Sequence, residues 1–255
     1  CALALGSIRA ALENGTVRDS FLIAREKAPS APIFANLGIA QIIQSKSMDQ
    51  VAAFCSELRA DALIIHLNPL QEAFQAEGDT NFIGALASIK LWVREFGLPI
   101  IVKEVGQGLS IDVIQKLQDA GVKVIDIAGA GGSNWISIER ERLPAEQTVL
   151  RAAAFEFANW GEPTAEVLEN VNTNMVIIAS GGLKRPLDMA KAMALGASMA
   201  GIAGALLKPG LVGDLDQLVQ TLLVWKETLK MAMFGTGVAH LGNFIGNRNL
   251  LTKIY

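Results

Sequence analysis

Lys103 closes the apolar run Pro99-Ile-Ile-Val-Lys103, where a strand pattern turns it toward the mouth of a fold rather than to bulk solvent. An ammonium there can stabilise an anionic cofactor or form a Schiff base, or it can pair with Glu104 or Asp126 and only stiffen the core. The heptapeptide His66-Leu-Asn-Pro-Leu-Gln-Glu72 follows another such run and offers an imidazole, the carboxamides of Asn68 and Gln71, and one carboxylate. A loop so equipped can hold an anionic ligand and its divalent metal together, because Mg²⁺ takes one or two carboxylates plus phosphate oxygens. Glu77 and Asp79 lie just beyond, either as part of that loop's chemistry or as a solvated turn.

Two glycine-rich turns, Ser180-Gly181-Gly182 and Gly201-Ile-Ala-Gly204, stand before helices at Pro186 and Ala205. Backbone N–H groups in such turns can approach a phosphate, and the helix N-terminus that follows adds a favourable dipole. Lys184 supplies a counter-charge, and the alternative is a pair of tight turns that pack helix on strand. A third glycine-rich stretch, Gly129 to Trp135, is neither a Walker A loop nor a dinucleotide fingerprint. No Gly-Lys-Ser/Thr follows it, and Asn134 stands where the third glycine would fall. Trp135 either stacks on a ligand or caps the fold. Cys55 lies in a helix with no histidine nearby and is no candidate nucleophile, and His240 is assigned no role.

These residues need a scaffold that brings strand ends together. Seven short apolar runs serve as strands: Ala2 to Leu5, Pro32 to Leu37, Ala62 to Leu67, Pro99 to Lys103, Val122 to Ile127, Met175 to Ala179 and Ser198 to Ile202. Amphipathic segments lie between them, as at Met48 to Arg59, Phe82 to Phe96, Ile111 to Ala120 and Pro186 to Leu195, which is the βα pattern of a parallel sheet. Gly97, Gly121 and Gly196 follow three of these as helix terminators. Polar or glycine residues follow nearly every strand, and in a (β/α)8 barrel those ends converge on one site, whereas an open sheet spreads them along an edge. The expectation is a single barrel domain over residues 1–255, with the first strand lying upstream of Cys1.

The chain has 255 residues, 51% hydrophobic and 18% charged, with 22 basic against 25 acidic side chains and a net charge of −3. That composition excludes disorder and argues against a broad nucleic-acid surface. Ala192 to Leu207 is the most apolar stretch, but glycines break it and it falls short of the roughly 20 residues a membrane span needs. No signal-peptide pattern opens the sequence, and two cysteines argue against a disulfide framework, so the expected compartment is the cytoplasm.

In combination, Gly6-Ser7-Ile8-Arg9, Asn36-Leu37-Gly38, His66 to Glu72, Gly78 to Phe82, Val102-Lys103-Glu104-Val105-Gly106, Asp126 to Trp135 and Ala179 to Gly182 resemble the type 2 isopentenyl-diphosphate delta-isomerases. The likeness runs from Ala4 to about Lys208, and the heptapeptide carries its specificity. It implies a barrel that binds FMN and interconverts isopentenyl and dimethylallyl diphosphate, with Mg²⁺ and reduced flavin, NADPH as reductant, and a homo-oligomer such as a tetramer or octamer. Redox cofactor then serves acid–base chemistry.

By motif, Ser7, Asn36, Lys103 and Ser133 would contact the flavin, with Lys103 favouring the anionic reduced ring. Gly181, Gly182, Lys184, Ala203 and Gly204 would hold its phosphate. Gln71 would lie by the isoprenoid carbons and, with Lys103, count among the catalytic residues. His66, Asn68, Arg9 and Ser7 would face the substrate, and Glu72 would ligate the metal. The chain departs from the family at Ile8, usually Gln, and at Lys184, usually Arg. The first loses an amide and the second a bidentate fork. Rival readings are an FMN-dependent 2-hydroxy-acid oxidoreductase, although the Gly181 segment lacks the histidine such enzymes present, an aldolase using Lys103, and a flavin-binding barrel without turnover.

Overall fold

The computed structural model describes residues 1–44 and 48–252. Its strands are β1 (Leu3–Ala4), β2 (Ile33–Gly38), β3 (Ala62–Leu67), β4 (Ile100–Glu104), β5 (Val124–Asp126), β6 (Val176–Ala179) and β7 (Met199–Ala200). Between the first four run α1 (Arg9–Glu13), α2 (Asp19–Lys27), α3 (Ile39–Ile43), α4 (Met48–Leu58), α5 (Pro69–Phe74) and α6 (Ala85–Glu95). Then come α7 (Ile111–Asp119), α8 (Trp135–Arg142), α9 (Thr148–Glu156), α10 (Thr164–Asn170), α11 (Pro186–Leu195), α12 (Gly204–Leu211), α13 (Leu215–Gly235) and α14 (Leu241–Phe244).

All seven strands pair in parallel and in chain order, β1 through β7. Sequential order is that of a (β/α)8 barrel, whereas a doubly wound sheet reverses at a switch point. β1 and β7 are the two edges and do not pair with each other. They are also the shortest strands, shorter than the runs Ala2 to Leu5 and Ser198 to Ile202, since an edge strand has a ladder on one side only.

Strand parity sorts the core. Ile33, Ala35, Leu37, Leu63, Ile65, Ile100, Val102, Ile125, Ile177 and Ala179 pack outward on the helix layer, against Phe54, Leu58, Ile89, Trp92, Ile114 and Leu117. The alternate positions Ala62, Ile64, Ile101 and Ile178, with Phe34 and Val124, fill the space inside the curl. Burial on both faces is why these strands read as unbroken apolar runs. Gly97 and Gly121 take left-handed φ of +82° and +91° at the helix ends where the pattern places them. Ser110 caps α7 by accepting from Val113 N–H at 3.4 Å.

Candidate active site at the strand ends

Continuing the inward parity one step past the apolar layer gives Asn36, His66, Lys103, Asp126 and Ser180. Register puts Gly38 beside His66, His66 beside Lys103, and Lys103 beside Asp126, a row across β2 to β5. His66 Nδ1 lies 2.8 Å from Asn36 Oδ1, and Asn36 Nδ2 donates to Leu5 O at 3.2 Å. The amide is thereby oriented with its oxygen on the ring, so Nδ1 carries the proton and Nε2 is an acceptor. Burial, and secondarily the Lys103 charge, pushes His66 down to about 4, so the ring is neutral at pH 7.

Lys103 Nζ donates to Glu104 O at 2.7 Å and stands 3.9 Å from Asp126 Oδ2. Asp126 Oδ1 accepts from Ser180 Oγ at 2.6 Å and from Ala128 N at 3.2 Å. Burial pushes the Asp126 carboxyl up, while Lys103 and those two donors pull it back toward the charged form. Of the two partners weighed for Lys103, Glu104 contributes its carbonyl. Its carboxylate instead gathers the N–H groups of Val105, Gly106, Gln107 and Gly108 at 2.5–3.0 Å and shapes the loop after β4.

The heptapeptide builds a second cluster. Pro69 opens α5 behind Asn68, so Gln71 and Glu72 sit in its first turn. Asn68 Nδ2 donates to Glu72 Oε1 at 2.8 Å, Asp79 N donates to Glu72 Oε2 at 2.8 Å, and Asp79 Oδ2 accepts from Gln44. Gln71 Nε2 donates to Glu139 Oε1 at 3.1 Å. Glu139 is 2% exposed, its salt-bridge partner Arg142 lying 3.3 Å away on the surface. The sequence reading passed over Glu139, which belongs to a helix of charged residues with no apolar periodicity. Its burial comes from α8 packing on α5 through Phe74 and Ile136. Asn68 Oδ1 is buried with no partner, which is the state of an acceptor built to meet something the chain does not supply.

The glycine loops pack on one another. A Cβ on Gly181 would lie 2.1 Å from Gly129 O, one on Gly182 would lie 2.9 Å from Gly131 C, and one on Gly132 would lie 2.7 Å from Gly182 N. Gly106 sits equally tightly under Ser133 O, 2.6 Å from the position its Cβ would take. Thus packing already demands these glycines, and it also holds Ser133 and Gly181 to Gly182 around one rim. Lys184 is exposed, and its N–H, with that of Arg185, is taken by Asp188, which closes the N-terminus of α11. The start of α12 at Ala203 and Gly204 is exposed and has no acidic residue in its first turn. Of the two turns, this is the one whose helix end remains open to an anion.

Ser7 and Arg9 lie beside Asn36: Ile8 N donates to Asn36 O at 2.8 Å, Ser7 Oγ accepts from Arg9 N, and Arg9 pairs with Glu13 at 3.2 Å. Ile8 is fully buried, so this position serves the core. Trp135 is 38% exposed at the head of α8. Cys55 is buried with its thiol pushed up to about 11, and His240 stands at the N-cap position of the short α14 without a side-chain capping bond.

The residues fit the groups the resemblance implies. A cationic Lys103 and a closed rim of glycine backbone suit an anionic ring with a phosphate tail. Among the described residues no three His, Cys, Asp or Glu side chains gather as a metal cage.

The curled parallel sheet with its strand-end rim defines a (β/α)8-barrel class. The FMN-dependent dehydrogenase family matches residues 35–251. Solved structures of mandelate oxidase cover 97% of the chain with TM-scores of 0.54 and 0.55 at 14% and 16% identity, a likeness of fold, and account for 78% and 76% of those chains. The isopentenyl-diphosphate delta-isomerase of Chlorobaculum parvum is 43% identical over 250 residues, 93% of this chain and 69% of the relative. That of Pseudescherichia vulneris is 44% identical over 245 residues, 95% of this chain and 70% of the relative. The chain belongs to the isopentenyl-diphosphate delta-isomerase family, in its FMN-dependent type 2 form.

Proposed function

We propose that the protein interconverts isopentenyl and dimethylallyl diphosphate on FMN, with Mg²⁺ bound and NADPH as the reductant that primes the flavin. The observation that carries this reading is the row Asn36, His66, Lys103 and Asp126 set beside the Asn68–Gln71–Glu72–Glu139 cluster. One half offers a cation and oriented polar groups to a ring, and the other offers the unpartnered Asn68 carboxamide oxygen and a carboxylate to a metal diphosphate.

Lys103 and Asn36 would hold the flavin ring, with Ser7 and Ser133 on its rim. Gly181, Gly182, Lys184, Ala203 and Gly204 would receive its phosphate. When bound and reduced, the flavin supplies a site that can give and take a proton without net oxidation. His66, Asn68 and Arg9 would face the diphosphate; the Arg9 guanidinium and a free Asn68 amide proton would donate charge-assisted bonds of roughly 1.5–3 kcal/mol each, whereas His66 would donate only with its proton moved to Nε2. Glu72 would anchor Mg²⁺, using lone pairs left by its bonds to Asn68 and Asp79. Gln71, held by buried Glu139, would lie along the isoprenoid carbons, and the apolar layer of Ile64, Ile101 and Ile178 beneath the row keeps water from below.

No described helix is long and apolar enough to cross a membrane. Exposed Leu211, Val212, Leu215 and Phe234 on α12 and α13 support a homo-oligomer. The test is anaerobic isomerisation of isopentenyl diphosphate by full-length protein, with FMN, Mg²⁺ and NADPH present or singly omitted. Product that requires reduced flavin and metal supports the reading; a bound, reducible flavin without product removes it.

A further inference from the structure

Lys103 does not stand alone at the mouth, and the way its neighbour is held is informative. Asp126 turns Oδ1 to two neutral donors, Ser180 Oγ and Ala128 N–H, and leaves Oδ2 3.9 Å from Lys103 Nζ. That separation is too long for a hydrogen bond, and the ammonium gives its bond to Glu104 O instead. An ordinary stiffening ion pair would close to contact. Here the carboxylate is pinned from its far side by β6 and by its own loop, so it faces the ammonium across a fixed gap. Ala128, which supplies one of the pins, has φ of +43°, a backbone state that a non-glycine residue adopts only when its surroundings demand it.

We infer that Asp126 is a positioning residue that sets how much of the Lys103 charge the flavin feels, preventing the lysine from over-stabilising the reduced anionic ring. The inference rests on the reading that Lys103 faces the flavin. A carboxylate at a fixed distance from the ammonium offsets part of its field, so the balance between oxidised and reduced flavin depends on both side chains. A ring that must both release and recover a proton needs such a balance, because too strong a cation would hold the deprotonated form.

The readout is the ratio of FMN dissociation constants, oxidised over reduced, measured on full-length protein by titration and checked by the midpoint potential. Asp126→Asn keeps the acceptor for Ser180 and Ala128 and removes the charge. It should raise the ratio about tenfold, equal to a positive shift of about 30 mV for a two-electron couple. A purely structural role would weaken both forms alike and leave the ratio unchanged, which overturns the proposal. If Asp126→Asn does not fold, Ser180→Ala takes its place: it strips one donor, leaves the carboxylate stronger toward Lys103, and should lower the ratio two- to threefold, while no change or a rise overturns the proposal. Lys103→Gln separates the two readings. A fall of tenfold or more places the lysine at the flavin, so a flat Asp126→Asn beside it refutes Asp126 alone; a flat Lys103→Gln, or wild-type protein that binds no FMN, refutes the flavin placement and this inference with it.

Discussion

His66 gives the most direct test of the row. Its ring is neutral because burial and the Lys103 charge hold it at about 4, against an ordinary value near 6.5. The unfolded chain takes a proton near 6.5 that the folded chain refuses until about 4. Stability therefore falls as pH drops through that window and levels off below it, the neutral ring costing nothing above 6.5. The linkage amounts to about 2 kcal/mol by pH 5 and about 3 kcal/mol below pH 4. Urea unfolding of wild type and His66→Gln between pH 7 and 4.5 isolates the contribution, because other titrating groups cancel in the difference. His66 and His240 are the chain's two histidines, so proton NMR of the ring signals reads the midpoint directly, with His240→Gln assigning the second resonance. Lys103→Gln should move the His66 midpoint upward. A wild-type midpoint at or above 6, or a pH-independent stability difference, would refute the desolvated row.

Gly181→Ala should cost about 3 kcal/mol or more in urea unfolding, because its φ is +83° and the added methyl meets the backbone of Gly129 and Ala128 at 2.1–2.7 Å; a loss under 1 kcal/mol would mean that the two loops do not lock. Glu72→Gln should abolish Mg²⁺-dependent turnover and leave the flavin spectrum intact, and unchanged activity would remove Glu72 from the metal site. Cys55, buried with its thiol at about 11, should resist iodoacetamide at pH 8 while exposed Cys1 reacts, giving one label per native chain by mass spectrometry; two labels would show the α4 core to be open.

The strands and their order were legible because burial on both faces leaves an unmistakable apolar run, and because glycine marks the helix ends at Gly97, Gly121 and Gly196. Asn36, His66 and Lys103 were legible for the same reason: a polar residue at the end of such a run is turned toward the strand-end mouth and needs a partner there. Glu139 was not, since the sequence Glu139-Arg-Glu-Arg142 reads as a solvated helix face. What buries it is tertiary, the seating of Phe74 and Ile136 between α5 and α8. Around Lys184 the glycine pair was legible, but not that Asp188 caps the helix it leads to by accepting from the N–H groups of Lys184 and Arg185. Ile8, which in the sequence stands where the family has an amide side chain, is a fully buried core residue.

The two clusters also differ in what fixes them, and that difference constrains how the site can work. His66, Lys103 and Asp126 stand on adjacent strands in register, with Asn36 two residues before the Gly38 that pairs with His66, so their spacing is set by the sheet ladder and can change only if the sheet slips. Asn68, Gln71 and Glu72 stand on a loop and a one-and-a-half-turn helix held by side-chain bonds to Asp79 and Glu139. Those bonds are made to carboxylates, roughly 1.5–3 kcal/mol each, and they can exchange one partner at a time, unlike a sheet ladder. A rigid row suits a prosthetic ring, which must be held the same way in every cycle. A loop held by a few exchangeable bonds suits a substrate with its metal, which must enter and leave. The orphaned Asn68 oxygen lies on the exchangeable side, where a ligand rather than the chain is left to satisfy it.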